Sequence, residues 1–448
     1  MDERTRPTAQ ASRRDERSLC MKILLAVCVL QGGAFAVAVY VHRGNWLYSD
    51  AVFYEQPAWN LVRGYGFSYA REEWEDPDLT RLYQVRHPEA ASARFVPAAT
   101  FPPGYSFFLA GIYGLVGRKP LVAVLANGVL MIATIVLIFA LARRAYGYGK
   151  ELMITLVLVG TYPMWAYWAS LVMSDILHVF LLSLFTVIWF TDGLTVRRAL
   201  LAGFILGLAA LVRPYVLLLP VLLGIAGRFF HFPAFRLRYV LPLTLSMSLP
   251  VGAWVTRNYL AFGKPMFVSM ELGYGFWIAT REPWIPSPEW ERDIRRELQM
   301  LGIQQAYWWR ENRRLRQLAF ERIRQRPIRY LLASVAKIPR RWLHLGTHTP
   351  SWAKAVLGLY FGLGFVLLVM GFFFARFRHQ VVLAGSAVLV IYYSLVFLPL
   401  HVEARYMLPA RPFAFLVSAS AVSPLLDFLG TIFSRCLRHW RLPQKLNT

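Results

Sequence analysis

Two acidic residues stand where a mostly apolar chain seldom places charge. Asp50 follows the first long apolar run by about nine residues, in "WLYSDAVFYEQPAWNLVRGYGFSYA", and Asp175 opens a later run, in "LVMSDILHVF". Ionisable groups at a membrane face are costly unless they border a water-filled cavity, which makes each a candidate site. Two carboxylates that reach one cavity from different helices can divide labour, one as general base and the other orienting a group or holding a metal. Each also has a plainer reading as a helix cap, shared with Ser49 in the first case and Ser174 in the second. Glu55 falls five residues beyond Asp50, off its helical face, and is expected to be a solvated loop carboxylate.

Arg213 ("LVRPY") and Arg405 ("HVEARYMLP") each sit at the end of an apolar run. A guanidinium there can bind a phosphate at headgroup level through its planar fork of donors. The alternatives are snorkelling to the interface and pairing with Glu403. His87 and His178 have no metal-ligand spacing and read as structural. The acidic run "REEWEDPD" (71–78) reads as a solvated loop. A Walker A sequence and a Gly-rich turn after a strand are both missing, so nucleotide hydrolysis is not expected.

The elements that must position these residues are apolar. The 448-residue chain is 57% hydrophobic and only 17% charged, against about a quarter charged in soluble domains. Ten runs approach the ~20 residues that a spanning helix needs: 23–41, 120–142, 151–169, 176–191, 199–212, 214–227, 239–256, 353–375, 381–400 and 408–428. The short segment "FPPGYSFFLAGIYGLVG" (101–117) reads as a re-entrant or interfacial helix begun by Pro102 and Pro103. With the N-terminus in the cytoplasm, the Arg- and Lys-bearing loops 143–150, 192–199, 228–238 and 376–379 and the tail all fall on the cytoplasmic face, as the positive-inside rule asks.

That topology gathers Asp50, Asp175 and two long loops on the opposite face. It divides the chain into a basic N-terminus (1–22), a membrane module (23–256, with outer loop 42–119), an outer basic helical loop (257–352), C-terminal spans (353–428) and a basic tail (429–448). In the outer loop Leu315, Leu318, Ala319 and Ile323 recur at helical spacing among arginines, which predicts surface helices lying against the bilayer. The net charge of +24 is then the footprint of cytoplasmic loops and anionic headgroups rather than of nucleic acid. Three cysteines, Cys20, Cys28 and Cys436, offer neither a disulfide framework nor a Cys-based metal site.

Taken in order, "YSDAVFYEQPAWNLVRGYGFS", "FPPGYSFFLAGIYGLVG", "LVMSDILHVFLLSL", "GFILGLAALVRPYVLLLPVLL", "RNYLAFGKPMFVSMELGYGFWIA" and "HVEARYMLPARPFAF" resemble the membrane glycosyltransferases of the GT-C fold. The nearest branch is the bacterial dolichyl-phosphate-mannose-mannosyltransferase-like proteins, kin of the protein O-mannosyltransferases and the lipid A aminoarabinose transferase. The resemblance covers most of 23–428. It implies an all-α polytopic membrane protein with about ten transmembrane helices and juxtamembrane helices in the first outer loop. It also implies transfer of a hexosyl or pentosyl group from a polyprenyl-phosphate donor to a glycan, lipid or protein acceptor, on the outer face of the cytoplasmic membrane.

By that resemblance Asp50 is the general base that activates the acceptor hydroxyl and Asp175 assists in positioning. Arg213 and Arg405 are the candidates for cationic support of the leaving phosphate. Two positions depart from the family: Ala51 where an Asp-Glu pair is common, and Phe101 where a basic residue often precedes the Pro-Pro. No cofactor is required by any motif. A divalent metal, which some relatives hold near the second motif, is left open, although "TFPPGY" offers no ligand side chain of the expected type. The competing classes are a transporter or flippase, whose inverted repeats are not visible in the sequence, and a non-catalytic relative.

Overall fold

The computed structural model describes residues 6–47, 50–90, 92–269, 272–282, 288–343, 351–403 and 405–440, with backbone only for 6–13, 351–353 and 435–440. Ser49, the side chain of Cys436 and the end of the tail lie outside the described residues. Helix α1 (Arg6–Val41) runs unbroken from the basic segment through the first apolar run. The first loop holds α2 (Ala51–Val62), β1 (Ser68–Ala70), α3 (Pro77–Arg86), β2 (Phe95–Pro97) and α4 (Gly104–Val116). The two strands pair antiparallel, Tyr69 opposite Val96. Then follow α5 (Pro120–Tyr146), α6 (Lys150–Gly160), α7 (Met164–Ala169), α8 (Asp175–Trp189), α9 (Val196–Val212), α10 (Leu219–Ala226) and α11 (Leu237–Phe262). A second helical layer comprises α12 (Leu272–Ala279), α13 (Pro288–Met300), α14 (Trp309–Gln325) and α15 (Pro327–Leu343), and the chain closes with α16 (Ser351–Phe374), α17 (Val381–Val396) and α18 (Arg411–Trp440).

The protein is a helical membrane protein. Among the described residues five helices are long and apolar enough to cross a bilayer: 14–41 of α1, α5, α11, 354–374 of α16, and Leu408–Ser434. Four apolar helices are shorter: α4, α8, Pro214–Ala226 and α17. The run expected to span at 151–169 is two helices, α6 and α7, because Pro163 lacks an N–H and disfavours helical geometry in the residue before it. The carbonyls freed at the break are met by α1, where Gln31 Nε2 donates to Gly160 O at 2.7 Å and to Tyr162 O at 3.2 Å. An apolar solvent leaves such groups no other partner.

Small residues set the closest packing. In "GFILG" a Cβ on Gly203 would come within 2.2 Å of Leu243 O, and one on Gly207 within 2.6 Å of Met247 O. α9 and α11 therefore approach backbone to backbone, as G-x-x-x-G pairs allow. The opposite side of α11 exposes Leu237, Leu241, Leu245 and Leu249 at four-residue spacing, the stripe that lipid would cover. Gly104 brings the start of α4 against the end of α9, with a Cβ there 2.8 Å from Val212 N. The "FPPG" turn is thereby fixed beside Arg213.

The second layer differs from the surface helices expected of it. Leu315 and Ala319 of α14 are fully buried in a cluster with Trp277 and Ile294, so the apolar stripe of α14 faces α12 and α13. These helices have enough apolar partners of their own to build a core. α15 exposes Ile328, Leu331, Leu332 and Val335, while its Lys337, Arg340 and Arg341 are buried; α14 exposes Phe320.

Gly203→Val should lower the melting temperature of the detergent-purified protein by the equivalent of ~1–3 kcal/mol or more, since backbone cannot yield as a side chain can. Gly252→Ala, in α11 with open space at its Cβ, should leave it unchanged.

Candidate functional site

Asp50 precedes α2 with helical backbone angles and makes no side-chain capping bond to it, and Ser174 likewise does not cap α8. Among the described residues, then, capping accounts for neither motif. Each carboxylate is instead held by an arginine from a distant segment: Arg405 Nη2 donates to Asp50 Oδ2 at 2.7 Å, and Arg213 Nη2 to Asp175 Oδ2 at 2.7 Å. The two pairs form one electrostatic group, because Arg405 also feels the charges of Asp175 and Glu403, and Arg213 that of Arg405.

Local rules explain each placement. Arg213 precedes Pro214, which forces an extended backbone (φ −147°, ψ 119°), so α9 stops and the side chain leaves its axis. Asp175 lies in the first turn of α8, where the helix dipole favours negative charge. It is 1% exposed and sits behind Arg213 rather than on the cavity wall. Removing one partner of such a buried pair leaves the other charge uncompensated, at a cost of about 3–5 kcal/mol.

Asp50, Arg213 and Arg405 line a single cavity of about 980 Å3, at the upper end of the volumes typical of ligand sites. Its lining includes the well-exposed apolar residues Leu218 and Phe267, and the α12–α14 layer adds Leu272, Tyr274, Trp290 and Tyr307. Tyr54 joins the site from α2, four residues after Asp50, and is within 3.3 Å of Ser174 Oγ. Helical spacing from Asp50 would have found it.

Three other residues that matter here had no legible signal. Glu282, 2% exposed at its side chain, accepts from the Val402 amide through both oxygens at 3.1 Å, from Arg340 at 2.9 Å, and pairs with Lys337 at 3.3 Å. Arg341 donates to Leu400 O at 2.9 Å. Together they clamp the segment that presents Arg405 three residues later. Burial lowers the Lys337 ammonium, and the Glu282 charge opposes that shift. His401 also lines the cavity and is 3.2 Å from Glu403, so Glu403 is engaged by histidine within the same loop.

Several expectations are corrected. Glu55 is not a solvated carboxylate: it is 1% exposed and bound through both oxygens by Arg118, at 2.6 and 2.7 Å. Its helix packs on α4, so the side chain that points away from Asp50 points into protein and must bring a counter-charge. The run 71–78 is only partly solvated. Glu72 pairs with Arg94, Glu73 with Gln56 and Glu75 with Arg71, while Asp76 is buried, caps α3 through the Asp78 and Leu79 amides, and accepts from the Trp309 amide at 2.6 Å. His178 is structural, bridging Ala209 O and the Tyr393 hydroxyl; His87 lies beside Glu89 at the surface. Among the described residues no three His, Cys, Asp or Glu side chains converge as a metal site would require, and Phe101 is stacked on Phe53 at 4.4 Å.

Glu282→Ala should cost about 3–5 kcal/mol of stability by leaving Lys337 and Arg340 buried without their counter-charge; thermal unfolding checks this, with Lys337→Met in the same background expected to recover part of the loss. Burial pushes the Asp76 carboxyl from 3.8 up to about 6, against three backbone amides that favour its charged form. The fold therefore binds this proton more tightly than the unfolded chain does. Its contribution is fully present below about 3.8, is lost as pH rises through about 6, and is worth up to ~3 kcal/mol. Melting curves between pH 4 and 7 should show that slope, and Asp76→Asn should flatten it.

No family model matches the chain, and no curated protein matches it. Among solved structures, the crystal structure of an oligosaccharyltransferase from Archaeoglobus fulgidus, tethered through a disulfide to an acceptor peptide containing the NVT sequon, is similar with a TM-score of 0.51 at 14% identity, over 95% of this chain and 52% of that one. The archaeal oligosaccharyltransferase AglB from Archaeoglobus fulgidus, in complex with an inhibitory peptide and a dolichol-phosphate, gives 0.48 at 14% identity with the same coverage. This chain spans about half the length of those enzymes. At such identity the likeness is one of fold alone: this chain folds like about half of the tethered oligosaccharyltransferase.

Proposed function

We propose that this protein is an integral membrane glycosyltransferase that moves a sugar from a polyprenyl-phosphate donor to an acceptor on the extracytoplasmic face. The observation that carries this reading is the convergence of Asp50, Arg405 and Arg213 on one large cavity whose lining also includes apolar residues. Displacement of a phosphate at an anomeric carbon needs a base on one face and cationic support for the leaving group on the other. Asp50 supplies the base and takes the proton of the acceptor hydroxyl as its oxygen attacks the anomeric carbon. Arg405 and Arg213 bind the phosphate oxygens as the glycosidic C–O bond breaks and the electron pair leaves with the polyprenyl phosphate. Asp175 fixes Arg213 from behind, as a positioning residue. Leu218 and Phe267 give the prenyl chain its apolar path.

The Arg405–Asp50 pair adds order to these events. A donor phosphate arriving at Arg405 competes with Asp50 for the same guanidinium, so donor binding frees the base only when there is a leaving group to displace. In this reading the ten apolar runs all span, including the shorter helices, with both termini cytoplasmic. Residues 23–256 form the catalytic module, 257–352 the outer helical layer and 353–428 the closing spans.

With the full chain in lipid nanodiscs and a radiolabelled polyprenyl-phosphate sugar, Asp50→Asn should reduce transfer at least a hundredfold with donor affinity kept within a few fold. Wild-type transfer by that variant would remove Asp50 as base. Arg213→Glu should weaken donor binding by tenfold or more; unchanged affinity would leave Arg213 a structural ion-pair partner.

A further inference from the structure

The donor chemistry leaves part of the cavity's charge unused. The α12–α14 layer lines it with Arg295 from α13 and Arg313 and Arg316 from α14, all three exposed. Arg313 and Arg316 are three residues apart and so share a helical face, where like charges repel. Three of the four carboxylates on the cavity wall are engaged elsewhere: Asp50 with Arg405, Glu282 with Lys337 and Arg340, Glu403 with His401. The fourth, Glu291, lies one turn before Arg295. Among the described residues no ion pair joins Arg295, Arg313 or Arg316 to a carboxylate. Three guanidinia facing one concave surface against a single glutamate make a site of positive potential that draws anions.

The same layer presents the rings of Tyr274, Trp290 and Tyr307 to the cavity. Tyr307 stands edge-on to Tyr274 at 5.5 Å and to Phe101 at 5.6 Å, so these rings are fixed in position. Flat aromatic faces pack well against the C–H faces of sugar rings, and arginine forks match carboxylate and phosphate oxygens. Resting on the glycosyltransferase reading above, we propose that the α12–α14 wall is the acceptor subsite and that the acceptor is an anionic saccharide, one bearing carboxylate or phosphate groups. The rings would hold the sugar and the arginines its charge. Its hydroxyl would then be directed toward Asp50, which lines the same cavity.

Binding to the full chain in zwitterionic nanodiscs tests this without turnover. Three tetrasaccharide probes are titrated: tetragalacturonate, a terminally phosphorylated maltotetraose, and neutral maltotetraose. At least one anionic probe should bind tenfold or more tighter than the neutral one, and raising salt from 50 to 300 mM should weaken it. Comparing the two anionic probes separates carboxylate from phosphate recognition. Arg313→Ala with Arg316→Ala should weaken that binding at least tenfold, and the double Lys variant should recover part of it. Polyprenyl-phosphate binding by native mass spectrometry should not change in either variant.

Equal affinity for all three probes overturns the proposal. So does loss of polyprenyl-phosphate binding in the double Ala variant, which would assign these arginines to the donor. An acidic peptide that binds when no saccharide does also overturns it. The glycosyltransferase reading fails on a different result: no labelled sugar leaving the polyprenyl phosphate for any acceptor, whatever binds the arginines.

Discussion

Everything at the centre of this molecule follows from the need to keep two carboxylates and two guanidiniums at the edge of an apolar bundle. Isolated charges cannot be held there, because desolvation penalises each by several kcal/mol. Pairing solves this across the chain. Asp50 comes from the first loop and its arginine from beyond α17, while Asp175 opens α8 and its arginine ends α9. The two ion pairs therefore bring the first, middle and last thirds of the chain to one point. They also set the chemistry, since the same guanidiniums that neutralise the carboxylates are the groups that can hold a phosphate.

The rest of the fold serves that point by rigidity. Backbone contact through Gly203 and Gly207 fixes α9 against α11, and Gly104 fixes the "FPPG" turn against the end of α9. On the other side, Glu282 and Arg341 grip the backbone of the 398–402 segment, so Arg405 is presented from a loop without the freedom of one. Asp76 joins the first loop to α14 through the Trp309 amide. The cavity is thus bounded by two layers with separate cores, linked by a few charge-assisted bonds. Such links strengthen as water is excluded.

The legible part of this protein lay in features whose physics is local. Apolar runs had to become helices, and Pro102 and Pro103 had to start one near residue 104. Asp50, Asp175, Arg213 and Arg405 drew notice because charge beside apolar sequence is costly wherever it falls. What stayed hidden depended on distant partners. Glu55 looked solvated because nothing near it in sequence announces Arg118, sixty-three residues on. The stripe on α14 looked lipid-facing because Trp277 and Ile294, which cover it, belong to other helices.

By itself, then, the sequence determined that this is an apolar helical membrane chain with two exceptional acids and two exceptional arginines, since hydropathy, helical period and the pre-proline restriction act over a few residues. Only the tertiary structure decided which arginine meets which carboxylate. It also decided that Asp175 stands behind Arg213 while Asp50 faces the cavity, and that Glu282 holds the segment that leads into Arg405. Those choices are made by contacts up to 355 residues apart in the chain. Long-range charge pairing has no period in the sequence: any arginine at a helix end satisfies the local rules equally, and the packing of the bundle selects one.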